Sequence, residues 1–364
     1  MSNLLVVTLT TLLSYVVAEG ENMAEKKPIE VPSDSVMIRP FTIHDFVMEI
    51  ILVITFLLYA VAWYQGKSAN LKRAKTWLGG QLEYLQSQFA LVGDGKSVLM
   101  KDGPADYLLY VSGRRHVQFG HWWLKLKPRN DMLTYFTTQV LSMVGQTKPV
   151  NDRVTLSMVL DKALPEKFVF AVIKKSESAE LSKKRFDLNR VAKLGSSKAI
   201  PASLTVYTES QKLADLILST TNVGKLISDA SDRLEYLVIS SLPADVPYRY
   251  ENDEALTISL SFSMSNSNTL DPLVELACEL PDTLSELKLT SDIRNQVNKN
   301  RESLRKEYAK RLAADKAEEA ARKKAEAKRA EEERIKKMSP AEQRKWEEKE
   351  RLRQLKKQQK KRKV

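Results

Sequence analysis

Two apolar runs stand out at the start of the chain. Residues 4–17 read LLVVTLTTLLSYVV, and residues 46–64 read FVMEIILVITFLLYAVAWY. The second run has no charge from Ile50 to Gly66. Its length at the helical rise is about 28 Å, enough to cross a bilayer core. Trp63 and Tyr64 close it where interfacial aromatics belong, and Lys67, Lys72, Arg73 and Lys75 follow. The pattern predicts a transmembrane helix over residues 46–64. The first run is shorter, and Val16 and Ala18 suit a cut before Glu19, so residues 1–18 read as a signal peptide. Residues 19–45 are short and polar and are expected to be disordered.

Beyond the span the pattern becomes mixed. Leu78, Leu82, Leu85 and Phe89 recur at helical spacing, for a segment that lies against the membrane or leads into the domain. Residues 107–111 and 117–126 predict strands around Ser112-Gly113-Arg114. Asn130 is placed to cap a helix through Leu141. Residues 154–160 and 168–173 read as a strand pair turning at Leu164-Pro165. Residues 204–207, 236–240 and 256–264 are further strands. Residues 210–218 are helical, and residues 271–289 form a helix broken or bent near Pro281. Irregular alternation of strands and helices predicts an α+β domain over residues 65–290, with a mostly antiparallel sheet.

From residue 291 the residues become strong helix formers, and no glycine occurs after Gly224. Ile293, Val297, Leu304, Tyr308 and Leu312 form an apolar stripe able to dock on the domain. The stripe then fades into alanines and charges, as expected of a solvated helix held by pairs such as Glu318–Arg322 and Glu319–Lys323 rather than of a dimeric coiled coil. Ser339, Pro340 and Glu342 signal a break and a new N-terminus with a capping box. Residues 291–364 therefore read as a long charged C-terminal helical extension, a basic hairpin or coiled-coil-like tail.

Charge sharpens this division. The net charge is +12, yet residues 299–364 alone hold 26 Lys+Arg against 13 Asp+Glu, so the rest of the chain is nearly neutral. No acid follows Glu350, and Arg353, Lys356, Lys357, Lys360, Lys361, Arg362 and Lys363 make a candidate RNA-phosphate contact, with anionic lipid as the competing partner. Before the span, residues 19–45 carry six acids and three bases. The positive-inside bias thus puts the N-terminus on the lumenal side and the C-terminus in the cytosol. Within the span, Glu49 and Thr55 are candidates for contact with partner helices, because polar groups in a membrane face protein or water.

Candidate chemistry is sparse. No phosphate-binding loop, dinucleotide fingerprint or zinc-protease motif occurs, and no cofactor is expected. Enzymatic activity is not expected either. His116 and His121 flank Trp122-Trp123 on a strand, with no third ligand nearby. Cys278, the single cysteine, reads as inert core.

The joint order of these parts resembles the calumin family, the coiled-coil-domain subunits of the PAT (protein associated with translocon) complex. The resemblance is carried by the single span, Trp77, the FALVGD run beginning at Phe89, Ser112-Gly113-Arg114, the FVFAV run beginning at Phe168, and the SPAEQRKWEEKERLRQLKKQQKKRK ending. It implies an endoplasmic reticulum membrane protein that binds the large ribosomal subunit at the Sec translocon. It also implies a small membrane partner of the Asterix type and nascent multipass membrane proteins as clients, within the lipid of that membrane. Animal members resemble calcium binders through a long acidic lumenal region. Here that region has only Glu19, Glu21, Glu25, Glu30, Asp34 and Asp45, so calcium binding is the weaker alternative.

Overall fold

The computed structural model describes residues 43–147, 149–219, 222–250, 252–265, 268–337 and 339–362. The expected signal peptide and most of the expected lumenal segment lie outside the described residues. After a short 3-10 turn at Ile43–Phe46, helix α1 runs unbroken over Val47–Gln88. The predicted span and the predicted Leu78–Phe89 segment are thus one helix of 42 residues. None of residues 47–65 is buried. From Gly66 the helix buries a stripe of Gly66, Asn70, Ala74, Trp77, Leu78, Gln81 and Leu85. That three-four spacing is the core face of a packed helix.

Among the described residues, ten strands form one antiparallel sheet. They are β1 (Leu91–Val92), β2 (Met100–Lys101), β3 (Asp106–Ser112), β4 (Val117–Lys125), β5 (Arg153–Leu160), β6 (Val169–Lys174), β7 (Lys193–Gly195), β8 (Leu204–Thr208), β9 (Leu234–Ser240) and β10 (Thr257–Ser263). The spatial order is β1-β3-β4-β5-β10-β9-β6-β8-β7, with β2 beside β3. The α+β, antiparallel expectation therefore holds, but one pairing does not. β5 sits between β4 and β10, whereas β6 sits between β9 and β8, so the two are not partners. Burial explains the difference. β5 alternates buried and less buried positions, as a strand covered on one face must, while β6 (VFAVIK) is buried at five successive positions. Only the half of the sheet covered on both sides offers such a site.

Two cores provide that cover. On one face, Trp77 and Leu85 of α1 meet Trp122, Leu156, Phe170 and Leu260, closed by helix α7 (Pro272–Glu286). On the other face Val169, Ala171 and Ile173 of β6 pack with Phe186, Val238, Leu304 and Tyr308. Between β4 and β5 lies helix α2 (Met132–Met143). Its cap is Asp131, whose carboxylate accepts from Thr134 N, and not Asn130 as expected. The remaining helices are α3 (Lys175–Lys184), α4 (Phe186–Val191), α5 (Gln211–Ser219) and α6 (Val223–Asp229), followed by α8 (Ser291–Lys336) and α9 (Pro340–Arg362). Pro281 is absorbed inside α7.

Candidate functional site: a rooted apolar helix and a pinned basic arm

The foot of α1 is fastened by buried polar groups that hydrophobic patterning passes over. Asn70 donates to Pro104 O at 3.3 Å and Lys127 O at 3.1 Å, and accepts from Arg129 at 2.9 Å. Arg129 also clasps Asp152 in a two-pronged contact of 2.9 and 2.8 Å, and Lys127 N donates to the same carboxylate. Arg73 adds a second cationic partner. Burial pushes the Asp152 carboxyl up. The hydrogen bonds and charges of these partners outweigh it and leave the group below the usual carboxylate range. Further along, Gln81 donates to Thr269 O at 2.8 Å and accepts from Asp271 N at 2.9 Å. The signal was present in sequence, since Asn70, Ala74, Trp77, Gln81 and Leu85 share one helix face, but amides on that face read as solvent-facing until a partner is known.

Gly66 sets how closely the neighbouring loop approaches. A Cβ there would lie 2.0 Å from Arg129 O, so backbone packs directly on helix. At the same level Lys67 stacks over the Trp63 ring at 4.8 Å. Lys101 on β2 is held below the usual lysine range, first by desolvation and then by the charge of Lys67.

The arm has an equally definite root. Its first turns bury Ile293, Val297, Leu304 and Tyr308, as the stripe predicted, and Leu312 is half-buried. The step of seven between Val297 and Leu304 is filled by Arg301, which is also buried. Its guanidinium donates to Glu209 at 2.7 and 3.1 Å, to Asp253 at 2.7 Å and to Ser241 Oγ at 3.3 Å. Glu209 accepts further bonds from Val169 N and from Asn300, and Tyr250 donates to Asp253. Burial opposes the Arg301 charge, but Glu209 and Asp253 outweigh it and hold the guanidinium above its usual range. A fully satisfied network of this kind fixes one register of α8 on the sheet.

From residue 313 to residue 334 every position is exposed. Lys323 pairs back to Glu319 at 2.7 Å, while Arg322 reaches forward to Glu326 at 3.6 Å. The break falls where predicted, and α9 begins at Pro340. Gln343 Nε2 caps Ile335 O at 2.9 Å, a contact the sequence reading missed; the Glu342 side chain expected in the capping box lies outside those described.

The nominated residues occupy separate places. Glu49 is exposed, and exposed Thr55 donates its hydroxyl to Ile51 O at 2.8 Å. Arg353 and Lys356 are exposed on α9; the side chains of Lys357, Lys360, Lys361 and Arg362, and Lys363 altogether, lie outside those described. His116 adopts φ 64° in the β3–β4 turn, whereas His121 packs against Tyr110 and Phe119. Among the described residues no three His, Cys, Asp or Glu side chains gather to hold a metal ion. Cys278 is buried, and burial pushes its thiol up to about 12.

The profile of the family described as PAT complex subunit CCDC47 matches residues 45–357. An endoplasmic reticulum membrane protein of Schizosaccharomyces pombe is 29% identical over 218 residues, covering 57% of this chain and 58% of that protein. The PAT complex subunit CCDC47 of Danio rerio is 28% identical over 303 residues, covering 76% of this chain and 61% of its own length. The human protein of the same name is 26% identical over 293 residues, covering 73% and 59%. The chain thus spans less than two thirds of each of these relatives.

Proposed function

Since the chain belongs to the PAT complex subunit CCDC47 family, we propose that it is a non-enzymatic endoplasmic reticulum membrane subunit of an intramembrane chaperone complex. In this reading it assists insertion and folding of multipass membrane proteins beside the ribosome and the Sec translocon. One observation carries the proposal. The family match begins at the apolar helix, runs through the sheet and ends within α9, so anchor, domain and basic arm are shared as a unit.

The parts divide the work. The stretch 46–64 spans the bilayer, with Glu49 and Thr55 available to partner helices of an Asterix-type protein and to client segments. Lys67, Lys72, Arg73 and Lys75 favour a cytosolic side for everything that follows. The domain then lies at the cytosolic surface. The α8–α9 arm carries Arg353, Lys356, Lys357, Lys360, Lys361, Arg362 and Lys363 toward rRNA, where neutralising phosphates needs closely set cations. Pinning by Arg301 gives that arm a fixed root, so binding at its far end transmits position to the membrane domain.

The test is co-sedimentation of the full-length protein with ribosomes over a salt series. Binding is expected to fall steeply with salt, and replacing the seven terminal bases by Gln is expected to weaken it at least about tenfold at low salt. Unchanged sedimentation of that variant refutes the rRNA contact.

A further inference from the structure

Helix α2 has no buried residue, although it is a helix of 12 residues in a well-packed domain. Leu133, Phe136, Val140, Met143 and Val144 are all widely exposed, Leu133 by 71% and Met143 by 81%. The stretch 132–147 carries no charge. Such a surface facing water is costly and unusual. Its threonine hydroxyls are meanwhile already satisfied from within: Thr134 donates to Asp131, Thr137 to Leu133 O and Thr138 to Thr134 O, at 2.6, 2.9 and 2.7 Å. Internal satisfaction removes the main penalty for moving a threonine-rich helix into a low-dielectric medium.

Position identifies the medium. Asp131, the cap of α2, lies 3.5 Å from the Tyr59 hydroxyl. The loop just before it sits on Gly66. Tyr59 is seven residues before Gly66 along α1, about 10 Å toward the apolar end at the helical rise. It also lies within the charge-free stretch that ends at Gly66, four residues before Trp63. The start of α2 is therefore held level with the last turns of the span rather than above them. Lys67 and Lys101 crowd together one turn beyond Trp63, where a layer of lipid phosphates would neutralise both.

We infer that α2 is a second membrane element, an uncharged helix embedded in the cytosolic-side boundary of the bilayer beside the span, with phospholipid as its occupant. The inference rests on the reading of residues 46–64 as a span. Together the two helices fix the domain's tilt on the membrane, which one span cannot do.

The full chain, reconstituted in phosphatidylcholine vesicles, tests it. Phe136→Cys and, separately, Leu57→Cys are labelled with an environment-sensitive fluorophore; Cys278 is buried and its thiol largely protonated, so the native protein stays unlabelled. The probe at residue 136 is expected to emit as in an apolar medium. Brominated lipids are expected to quench it roughly twofold, with bromines near the headgroup more effective than deep ones. Water-like emission and quenching by aqueous iodide overturn the inference. Apolar emission without bromolipid quenching also overturns it, because a protein surface then covers the helix. If residue 57 is quenched while residue 136 is not, the span reading stands and only α2 fails. If neither is quenched, both readings fall.

Discussion

Residues 291–312 and residues 313–337 draw on the same helix formers and belong largely to one helix, yet their environments share little. The first stretch places Ile293, Val297, Arg301, Leu304 and Tyr308 on a buried face against the sheet. The second is exposed from residue 313 through residue 334, with ion pairs one turn apart as its visible side-chain contacts. Propensity makes both stretches helical, but burial and a closed polar network fasten only the first to the sheet. A root fixed on the sheet and continued by an exposed charged helix is the arrangement that the proposed polyanion contact requires.

The largest expected effect comes from breaking the root. Arg301→Ala leaves Glu209 and Asp253 buried without their cation, and the cost is expected to be about 3–5 kcal/mol by chemical denaturation of the full chain. A loss below about 1 kcal/mol would mean that apolar contacts alone hold the root. Next, Tyr308→Ala removes a ring that meets Phe186 edge-on at 6.2 Å and Tyr250 at 6.0 Å. It is expected to cost about 2–4 kcal/mol. The same denaturation curves read it, and an effect as small as that of an arm substitution would erase the distinction between the two stretches.

The smallest effect concerns the exposed flank. Hydrogen bonding and then the charge of Lys306 hold the Glu302 carboxyl below its ordinary value of 4.5. Its support for the helix is therefore complete above that pH and fades as pH falls through the lower folded value. Lys306→Gln is expected to remove this acid dependence of helix content, read by circular dichroism, without altering the denaturation midpoint at neutral pH. A shifted midpoint would place the pair among the root contacts.

Much of this division was legible beforehand. The stripe at Ile293, Val297, Leu304 and Tyr308, the Ser339-Pro340 break and the apolar span follow from period and local chemistry, which act over a few residues. Arg301 was missed although the gap in the stripe marked its place. An arginine on an apolar face is recognisable as buried only when carboxylates 48 and 92 residues distant in sequence are known to meet it. Asn70 and Gln81 were hidden for the same reason. Asp131 displaced Asn130 as cap because the loop ahead of α2 is pinned to Gly66 and Asn70. The cap thus depends on where the chain is held as well as on which residue is a good acceptor.

Sequence by itself determined the helices of the span, of residues 210–218 and 271–289 and of the arm, which stretch suits a bilayer and where the cations gather, because propensity, hydropathy and charge are properties of neighbours along the chain; the short helices α3, α4 and α6 carried no such signal. Only the tertiary structure decided that β5 and β6 lie in different halves of the sheet, that a buried arginine locks the arm, and that the uncharged helix Met132–Met143 is held beside Tyr59. Those outcomes depend on pairings between remote residues, and their energies exist only once the fold has brought the partners together.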